Sequence, residues 1–163
     1  PILRVVFGPR DPSYISPILS AIQSDLCESG IDGVLSTHIQ RDALEKFSYV
    51  SPIGAAGVYL HAVAGDFQKE GAARELFKSM IREISALAAA MGYPFEKDYV
   101  KINLEILSNL SADATTSMQR DIMEGKPSEL DGLVMEPLRL AKKYSVSMPC
   151  YEEVANALCP LEF

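Results

Sequence analysis

The sequence predicts a mainly α-helical domain that follows a short strand–helix–strand segment. Three observations support this fold class. From residue 39 onward, apolar residues recur at intervals of three and four, which is the period of an amphipathic helix. Glycine and proline residues divide this pattern into helix-sized stretches. Strand-like runs bounded by glycine lie within the first 37 residues.

The first 37 residues contain two short runs that are typical of strands. Residues 3–7 are apolar and β-branched and are followed by Gly8, and residues 33–37 form a second candidate strand. Between them, residues 15–28 carry apolar side chains at helical spacing, beginning with Ile15, and Gly30 ends this helix. Two strands are too few for a stable sheet, so we interpret this segment as the tail of a larger αβ domain.

Six helices are predicted in the remainder of the chain. Pro52 should kink or break the first of them, because proline removes one hydrogen bond and clashes with the carbonyl group of Ser48. Small residues around Gly54 and Gly57 give the same helix a face for close packing. Ser128 is expected to cap the fifth helix, with Asp131 three residues later. The predicted helices span residues 39–64, 67–91, 99–110, 113–124, 129–143 and 151–158.

Charge and cysteine content narrow the possible partners and environment. The formal net charge of −7 disfavours nucleic acid and membrane surfaces as partners, because both attract clusters of lysine and arginine. The three cysteines, Cys27, Cys150 and Cys159, lack paired spacing, which favours buried, reduced thiols in the cytoplasm. The two histidines show no metal-ligand spacing, so no metal site is expected.

The sequence contains no motif that could bind a dinucleotide. A strand followed by GxGxxG, or a GxxxxGK[ST] loop, would place backbone N–H groups around a pyrophosphate, but Gly8 stands alone after the first candidate strand. No arrangement of serine, histidine and aspartate indicates a hydrolase. Composition and periodicity alone therefore predict a helical domain without specifying its function.

Three segments resemble the C-terminal domain of the ketopantoate reductase family. Residues 116–131, TSMQRDIMEGKPSELD, are similar to its signature, and residues 138–149, LRLAKKYSVSMP, are similar to its following helix and loop. Residues 43–47, ALEKF, resemble its lysine motif, with Leu44 in place of the usual tryptophan. The resemblance covers residues 39–160. It implies a 6-phosphogluconate-dehydrogenase-like helical domain for substrate binding and dimerisation over residues 38–163, preceded in residues 1–37 by the end of a Rossmann domain.

The same resemblance implies a reaction and three site residues. Members of the family reduce ketopantoate to pantoate with NADPH, in pantothenate biosynthesis. Lys46 matches the general acid, which stabilises and protonates the 2-oxo oxygen as hydride arrives. Glu129 matches the glutamate that orients this lysine and contacts substrate, and Ser117 matches the serine that binds the substrate carboxylate. Because NADPH would be bound mainly by the preceding domain, this chain alone is expected to be inactive.

Each of these assignments has a structural alternative. Lys46 could be an ordinary solvated lysine on a helix, and Glu129 could complement the helix dipole directly after the Ser128 cap. Asp121 lies four residues after Ser117 and therefore on the same helix face. For Asp121 we favour a structural role, in a salt bridge or a cap.

The chain departs from the family at four positions. The asparagines that hold ketopantoate in the family correspond here to Val50, Gly54, Ala64 and Ala114. A pocket built for a hydroxylated oxo acid loses buried hydrogen bonds through such changes, although Ser51 and Tyr49 could supply replacements. Two alternatives therefore stay open: a related hydroxy-acid dehydrogenase with a less polar substrate, and a helical interaction module without catalysis. Whether the enzyme is a ketopantoate reductase or a related hydroxy-acid dehydrogenase, we expect a homodimer, as in related helical dehydrogenase domains.

Overall fold

The computed structural model describes residues 3–14 and 16–158. Within these residues the chain forms eight α-helices, one π-helical segment and two short strands, so the predicted mainly α fold class is confirmed. The chain divides into two compact units, residues 1–44 and residues 45–163. The domain boundary expected after residue 37 stays a prediction. In the described part of the chain, none of the helices has the length and apolar character needed to cross a membrane.

The first unit contains two parallel strands joined by a helix. Strands β1 (Arg4–Phe7) and β2 (Asp32–Leu35) pair in parallel over all four of their residues. The connecting helix α1 (Pro17–Glu28) begins with a proline, which is favourable there because the first turn of a helix has no acceptor for that backbone N–H group. Ile15, which was predicted to begin this helix, lies outside the described residues.

Gly8 and Cys27 are both explained by the packing of this first unit. A Cβ atom at Gly8 would lie 2.2 Å from the carbonyl oxygen of Ser36, so the glycine permits two backbone segments to approach closely. Cys27 is exposed, and the prediction that it is buried is wrong. The cause is its helix, α1, which contains no buried residue. Cys150 is partly buried, and Cys159 lies outside the described residues.

The longest helix, α2 (Ile39–Leu60), continues through Pro52. The prediction that Pro52 could break it is wrong, because another helix supplies the missing donor. Proline leaves the carbonyl oxygen of Ser48 without its helical partner. The side chain of Asn103, which is 1% exposed, donates to that oxygen over 3.0 Å. It also contacts the Ser48 hydroxyl at 3.1 Å.

The second unit contains one hydrophobic core, arranged around α4. This helix packs against α3, α5, α7 and α8, and its residues Phe77, Ile81 and Ile84 are fully buried. Complete burial of such a side chain stabilises a fold by roughly 1.5–3 kcal/mol. The elements that follow α2 are α3 (Ala64–Gln68), α4 (Ala72–Ala90), α5 (Tyr99–Ser108), α6 (Ser117–Met123), a π-helical segment (Asp131–Met135), α7 (Glu136–Tyr144) and α8 (Pro149–Leu158).

The helix expected over residues 129–143 is a π-helical segment followed by α7. Two other predicted helices also differ from those in the structure. The helix expected over residues 67–91 is divided into α3 and α4, because Gly71 adopts a φ of 152°, a conformation that side chains disfavour. The helix expected over residues 113–124 begins only at Ser117, where Thr116 caps it. Both corrections concern where a helix begins or ends. These positions depend on the backbone conformation of single residues and on caps, and not on the spacing of apolar residues.

The last helix, α8, is held by polar contacts with distant parts of the second unit. The carboxylate of Glu83 in α4 accepts hydrogen bonds from the backbone N–H groups of Cys150 (2.8 Å) and Tyr151 (3.1 Å). These are free donors of the first helical turn, so Glu83 acts as a cap from another helix. The fully buried hydroxyl of Tyr151 lies 2.5 Å from that of Ser51 in α2. Burial raises the pKa of Tyr151, so this hydroxyl stays protonated.

Candidate functional site

Lys46 lies on α2, one helical turn before a pocket that begins at Tyr49. Its side chain is exposed. Residues three and seven positions further along a helix share one face with it, and these residues are Tyr49 and Ile53. Both line a pocket of about 180 Å³. Lys46 is therefore an exposed residue on the same face of α2 as two residues that line this pocket.

Ser117 is the first residue of α6, and its side chain is also exposed. Thr116, the residue before it, caps the helix through its hydroxyl oxygen, which accepts from the N–H group of Gln119 at 3.2 Å. The Gln119 side chain in turn accepts from the Thr116 N–H group at 2.9 Å. This reciprocal pair is a capping box. Its T-x-x-Q spacing is visible in the sequence, where a Thr followed three residues later by Gln is a signal for the start of a helix.

Glu129 lies two residues before the π-helical segment, and its side chain is exposed. Its carbonyl oxygen accepts from the N–H group of Leu133 at 2.9 Å. The expectation that Ser128 caps this helix is wrong, because the segment begins without a side-chain cap. Asp131, the predicted partner of Ser128, instead pairs with Arg139 at 2.7 Å.

The elements that carry Lys46 and Ser117 and the π-helical segment that follows Glu129 meet around one part of α2. The Ser51 hydroxyl donates to the carbonyl oxygen of Leu133 at 2.6 Å, which ties α2 to the π-helical segment. A Cβ atom at Gly54 would lie 3.9 Å from the Leu133 side chain and 4.0 Å from the Thr116 hydroxyl. Gly54 thus stands where α2, the start of α6 and the π-helical segment come together.

The side chains of Lys46, Ser117 and Glu129 are not joined to one another. Within residues 3–14 and 16–158, no ion pair or hydrogen bond connects any two of them. All three belong to the second compact unit. Their assignment as site residues therefore stays a prediction that rests on the resemblance and on the proximity of their elements.

The pocket beside Lys46 has mostly apolar walls and includes two of the four substituted asparagine positions. Ala64 and Ala114 both line it. Of the other two positions, Gly54 is buried, and a Cβ atom added there would lie 3.2 Å from the methyl end of Met118; Val50 is 37% exposed. The pocket is lined by Tyr49, Ile53, Ala62, Ala64, Phe67, Leu110, Ala114, Thr115, Thr116 and Gln119.

Gln119 forms the polar end of this pocket, and Gly57 makes room for it. The Gln119 amide donates to the carbonyl oxygen of Ala62 at 2.8 Å. A Cβ atom at Gly57 would lie 2.8–2.9 Å from all three terminal atoms of the Gln119 side chain. Only a glycine lets the amide occupy this place between α2 and the chain that follows it.

Among the described residues we find neither a cluster of metal-ligating side chains nor a glycine-rich turn for a dinucleotide. Among them, no group of three or more histidine, cysteine, aspartate and glutamate side chains could hold a metal. Gly8, which follows β1 where a nucleotide-binding turn begins in other folds, lies against the Ser36 carbonyl oxygen instead of an open cradle. These residues therefore do not fit the pyrophosphate of NADPH.

Comparison with protein families and curated proteins gives a consistent result. Residues 38–162 match the family described as ketopantoate reductase PanE/ApbA C terminal. The chain is 23% identical over 151 residues to an uncharacterized oxidoreductase of Bacillus subtilis, covering 93% of this chain and 50% of that protein. It is 24% identical over 135 residues to a 2-dehydropantoate 2-reductase of Nostoc sp., covering 83% and 42%. The chain spans about half the length of the curated relatives it matches.

Solved structures show the same fold. A 2-dehydropantoate 2-reductase from Methylococcus capsulatus superposes with a TM-score of 0.86 at 24% identity, covering 98% of this chain and 50% of that one. A D-mandelate dehydrogenase, solved with NADH and anilino(oxo)acetate, superposes with a TM-score of 0.82 at 17% identity, covering 98% and 66%. A dimeric ketopantoate reductase from Staphylococcus aureus has a TM-score of 0.82 at 18% identity, covering 98% and 54%. At these identities the likeness establishes the fold alone.

Proposed function

The chain belongs to the family of ketopantoate reductase C-terminal domains, and we propose that it is the substrate-binding half of an NADPH-dependent 2-oxo-acid reductase. The observation that carries this proposal is that α2, the start of α6 and the π-helical segment come together, and that α2 and α6 also line one pocket. Lys46 lies on α2, Ser117 begins α6 and Glu129 lies two residues before the π-helical segment. The favoured substrate is ketopantoate, which the family resemblance suggests.

The proposed roles follow from the charge that the reaction creates. Reduction of a 2-oxo acid builds negative charge on the carbonyl oxygen, and a positioned ammonium group both stabilises and protonates that oxygen. We assign this role to Lys46, whose proton passes to the oxygen to give a 2-hydroxy acid. The carboxylate of Glu129 orients the ammonium group. The Ser117 hydroxyl donates a hydrogen bond to the substrate carboxylate.

NADPH would supply the hydride in this reaction. Since the described residues have no glycine-rich turn for its pyrophosphate, we assign its binding to the part of the longer protein that lies outside this chain. This chain alone is then inactive. We also propose a homodimer, supported by the structural relative that is described as dimeric.

The role of Lys46 can be tested in the longer enzyme with ketopantoate and NADPH. Replacing Lys46 by alanine should lower kcat by roughly 10²–10⁴-fold, which is the scale for a lost general acid. Lys142→Ala is the matched control, because Lys142 is an exposed lysine on α7, away from the pocket lining, and its turnover should be unchanged. If the Lys46→Ala enzyme turns over as fast as this control, Lys46 is not the general acid.

A further inference from the structure

The hydroxyl group of Ser51 is buried in the helical unit and is bonded on two sides. Ser51 is 0% exposed, and its hydroxyl donates to the carbonyl oxygen of Leu133 at 2.6 Å. A serine hydroxyl has one hydrogen to donate, so the Tyr151 hydroxyl, 2.5 Å away, is the donor in the second bond. The buried hydroxyl of Tyr49, in contrast, has no hydrogen-bond partner among the described residues. Because its hydrogen is given to Leu133, the Ser51 hydroxyl has none to offer a substrate.

The carbonyl oxygen of Leu133 needs this bond because of Pro137. In an α-helix that oxygen would accept from the N–H group four residues later, and a proline has no N–H group. The π-helical segment, residues 131–135, lies directly before this proline, and such turns are frequent at functional sites. Ser51 supplies the missing donor from another helix, as Asn103 does for the carbonyl oxygen of Ser48.

The backbone of Leu133 connects this bond to Glu129. The N–H group of Leu133 donates to the Glu129 carbonyl oxygen at 2.9 Å, so both backbone polar groups of Leu133 are bonded. Lys46 lies five residues before Ser51 on α2. The bond between Ser51 and Leu133 therefore joins the helix that carries the proposed ammonium group to the segment that follows the proposed carboxylate. Because the Glu129 side chain is exposed, its position depends on where its backbone is held.

Resting on the proposed function, we propose that Ser51 is a positioning residue, whose hydroxyl holds the backbone of Leu133 and thereby keeps the Glu129 carboxylate where it can orient Lys46. Ser51 touches neither substrate nor cofactor in this role. Its effect on turnover therefore passes through Glu129, and it should disappear when the carboxylate is removed.

The test measures kcat in the longer enzyme with ketopantoate and NADPH. Ser51→Ala should lower kcat by about 5- to 100-fold, the range in which one lost buried hydrogen bond changes the population of the held position. In Glu129→Gln the same change should cost less than about twofold, because the carboxylate that Ser51 positions is already gone. Ser48→Ala is the matched control. It removes another fully buried hydroxyl of α2, which donates to the Glu45 carbonyl oxygen at 2.7 Å, and its kcat should stay within about twofold of the original.

A merely structural role would lower kcat by the same factor in both backgrounds. Equal losses with and without the Glu129 carboxylate, or no loss in Ser51→Ala, would therefore overturn the assignment of Ser51.

The hold on the backbone is measured without substrate, by amide hydrogen exchange of Leu133 in the same enzyme, followed by NMR. Relative to Ile84 in the core of α4, this rate should rise by about 5- to 100-fold in Ser51→Ala and change by less than about twofold in Ser48→Ala. If it rises while Glu129→Gln turns over as fast as the original enzyme, the proposed role of Glu129 is refuted and the hold by Ser51 stands. Unchanged exchange in Ser51→Ala would refute that hold, whatever the activity.

Discussion

Replacing Gly57 by alanine should destabilise the helical unit, whereas the same change at Gly54 should not. Both glycines are buried in α2. Both substitutions gain about 0.8–1 kcal/mol of helix propensity, so this gain cancels when the two variants are compared. The difference lies in what each new methyl group meets. At Gly54 it meets the flexible end of Met118 at 3.2 Å, and at Gly57 it meets the Gln119 amide at 2.8–2.9 Å.

The magnitude follows from the bonds that Gln119 would lose. To admit a methyl group at residue 57, the amide must leave the carbonyl oxygen of Ala62 and the N–H group of Thr116. Each unpaired buried group costs about 1–3 kcal/mol. After the gain in propensity is subtracted, Gly57→Ala should lose about 1–5 kcal/mol. Gly54→Ala should stay within about 1 kcal/mol of the original protein, since a methionine methyl group moves easily.

Urea unfolding followed by circular dichroism measures both variants, and Tm gives a second estimate. For a chain of this length, each kcal/mol corresponds to about 2–4 °C in Tm. Equal stability of Gly57→Ala and Gly54→Ala would refute the reasoning. A sharper check uses Gln119→Ala as the background. There the amide is gone, so the added Gly57→Ala change should become neutral or stabilising, and a cost that persists would place the clash elsewhere.

Three further predictions concern α2, the cofactor and assembly. Asn103→Ala should lower the free energy of unfolding by about 1–3 kcal/mol, because it leaves the Ser48 carbonyl oxygen unpaired. Adding Pro52→Ala, which restores a helical donor, should reduce this loss. Urea titration of the single and double mutants checks both expectations, and additive losses would contradict the role of Asn103 as the replacement donor. Titration of this chain with NADPH should give no saturable change in NADPH fluorescence, and micromolar binding would contradict the absence of a dinucleotide cradle. Light scattering should report a dimer for both this chain and the longer protein, and a monomeric chain would contradict the proposed assembly.

The helical architecture was predictable because it depends on local periodicity. The stripe that buries Phe77, Ile81 and Ile84 is visible as residues spaced by three and four. The continuity of α2 was not predictable, because the donor that replaces the Pro52 N–H group is Asn103, which is distant in sequence. Sequence rules consider only the helix that contains the proline. In the fold, the Ser48 carbonyl oxygen accepts a hydrogen bond from a side chain on another helix.

The site was predictable only in part. Lys46, Ser117 and Glu129 were selected by motif, and the structure adds that their elements are neighbours. The unpaired hydroxyl of Tyr49 could not be foreseen, since whether a phenol has a partner depends on packing between helices. The capping box of Thr116 and Gln119 could be predicted from the sequence. That both residues also line the pocket could be seen only in the structure.

The polar contacts that hold α8 also determine how late in synthesis the core of the helical unit can form. Ser51 and Tyr151 are 100 residues apart, a distance that a ribosome translating about 5–20 residues per second covers in roughly 5–20 s. Until then the Glu83 carboxylate on α4 lacks the N–H groups of α8, and the Ser51 hydroxyl on α2 has only the Leu133 carbonyl oxygen as a partner. The helical unit can therefore complete its core only after α8 has been synthesised, and until then the nascent chain exposes apolar surface that chaperones can bind. A stop codon before Tyr151 would therefore remove the helix that completes this core.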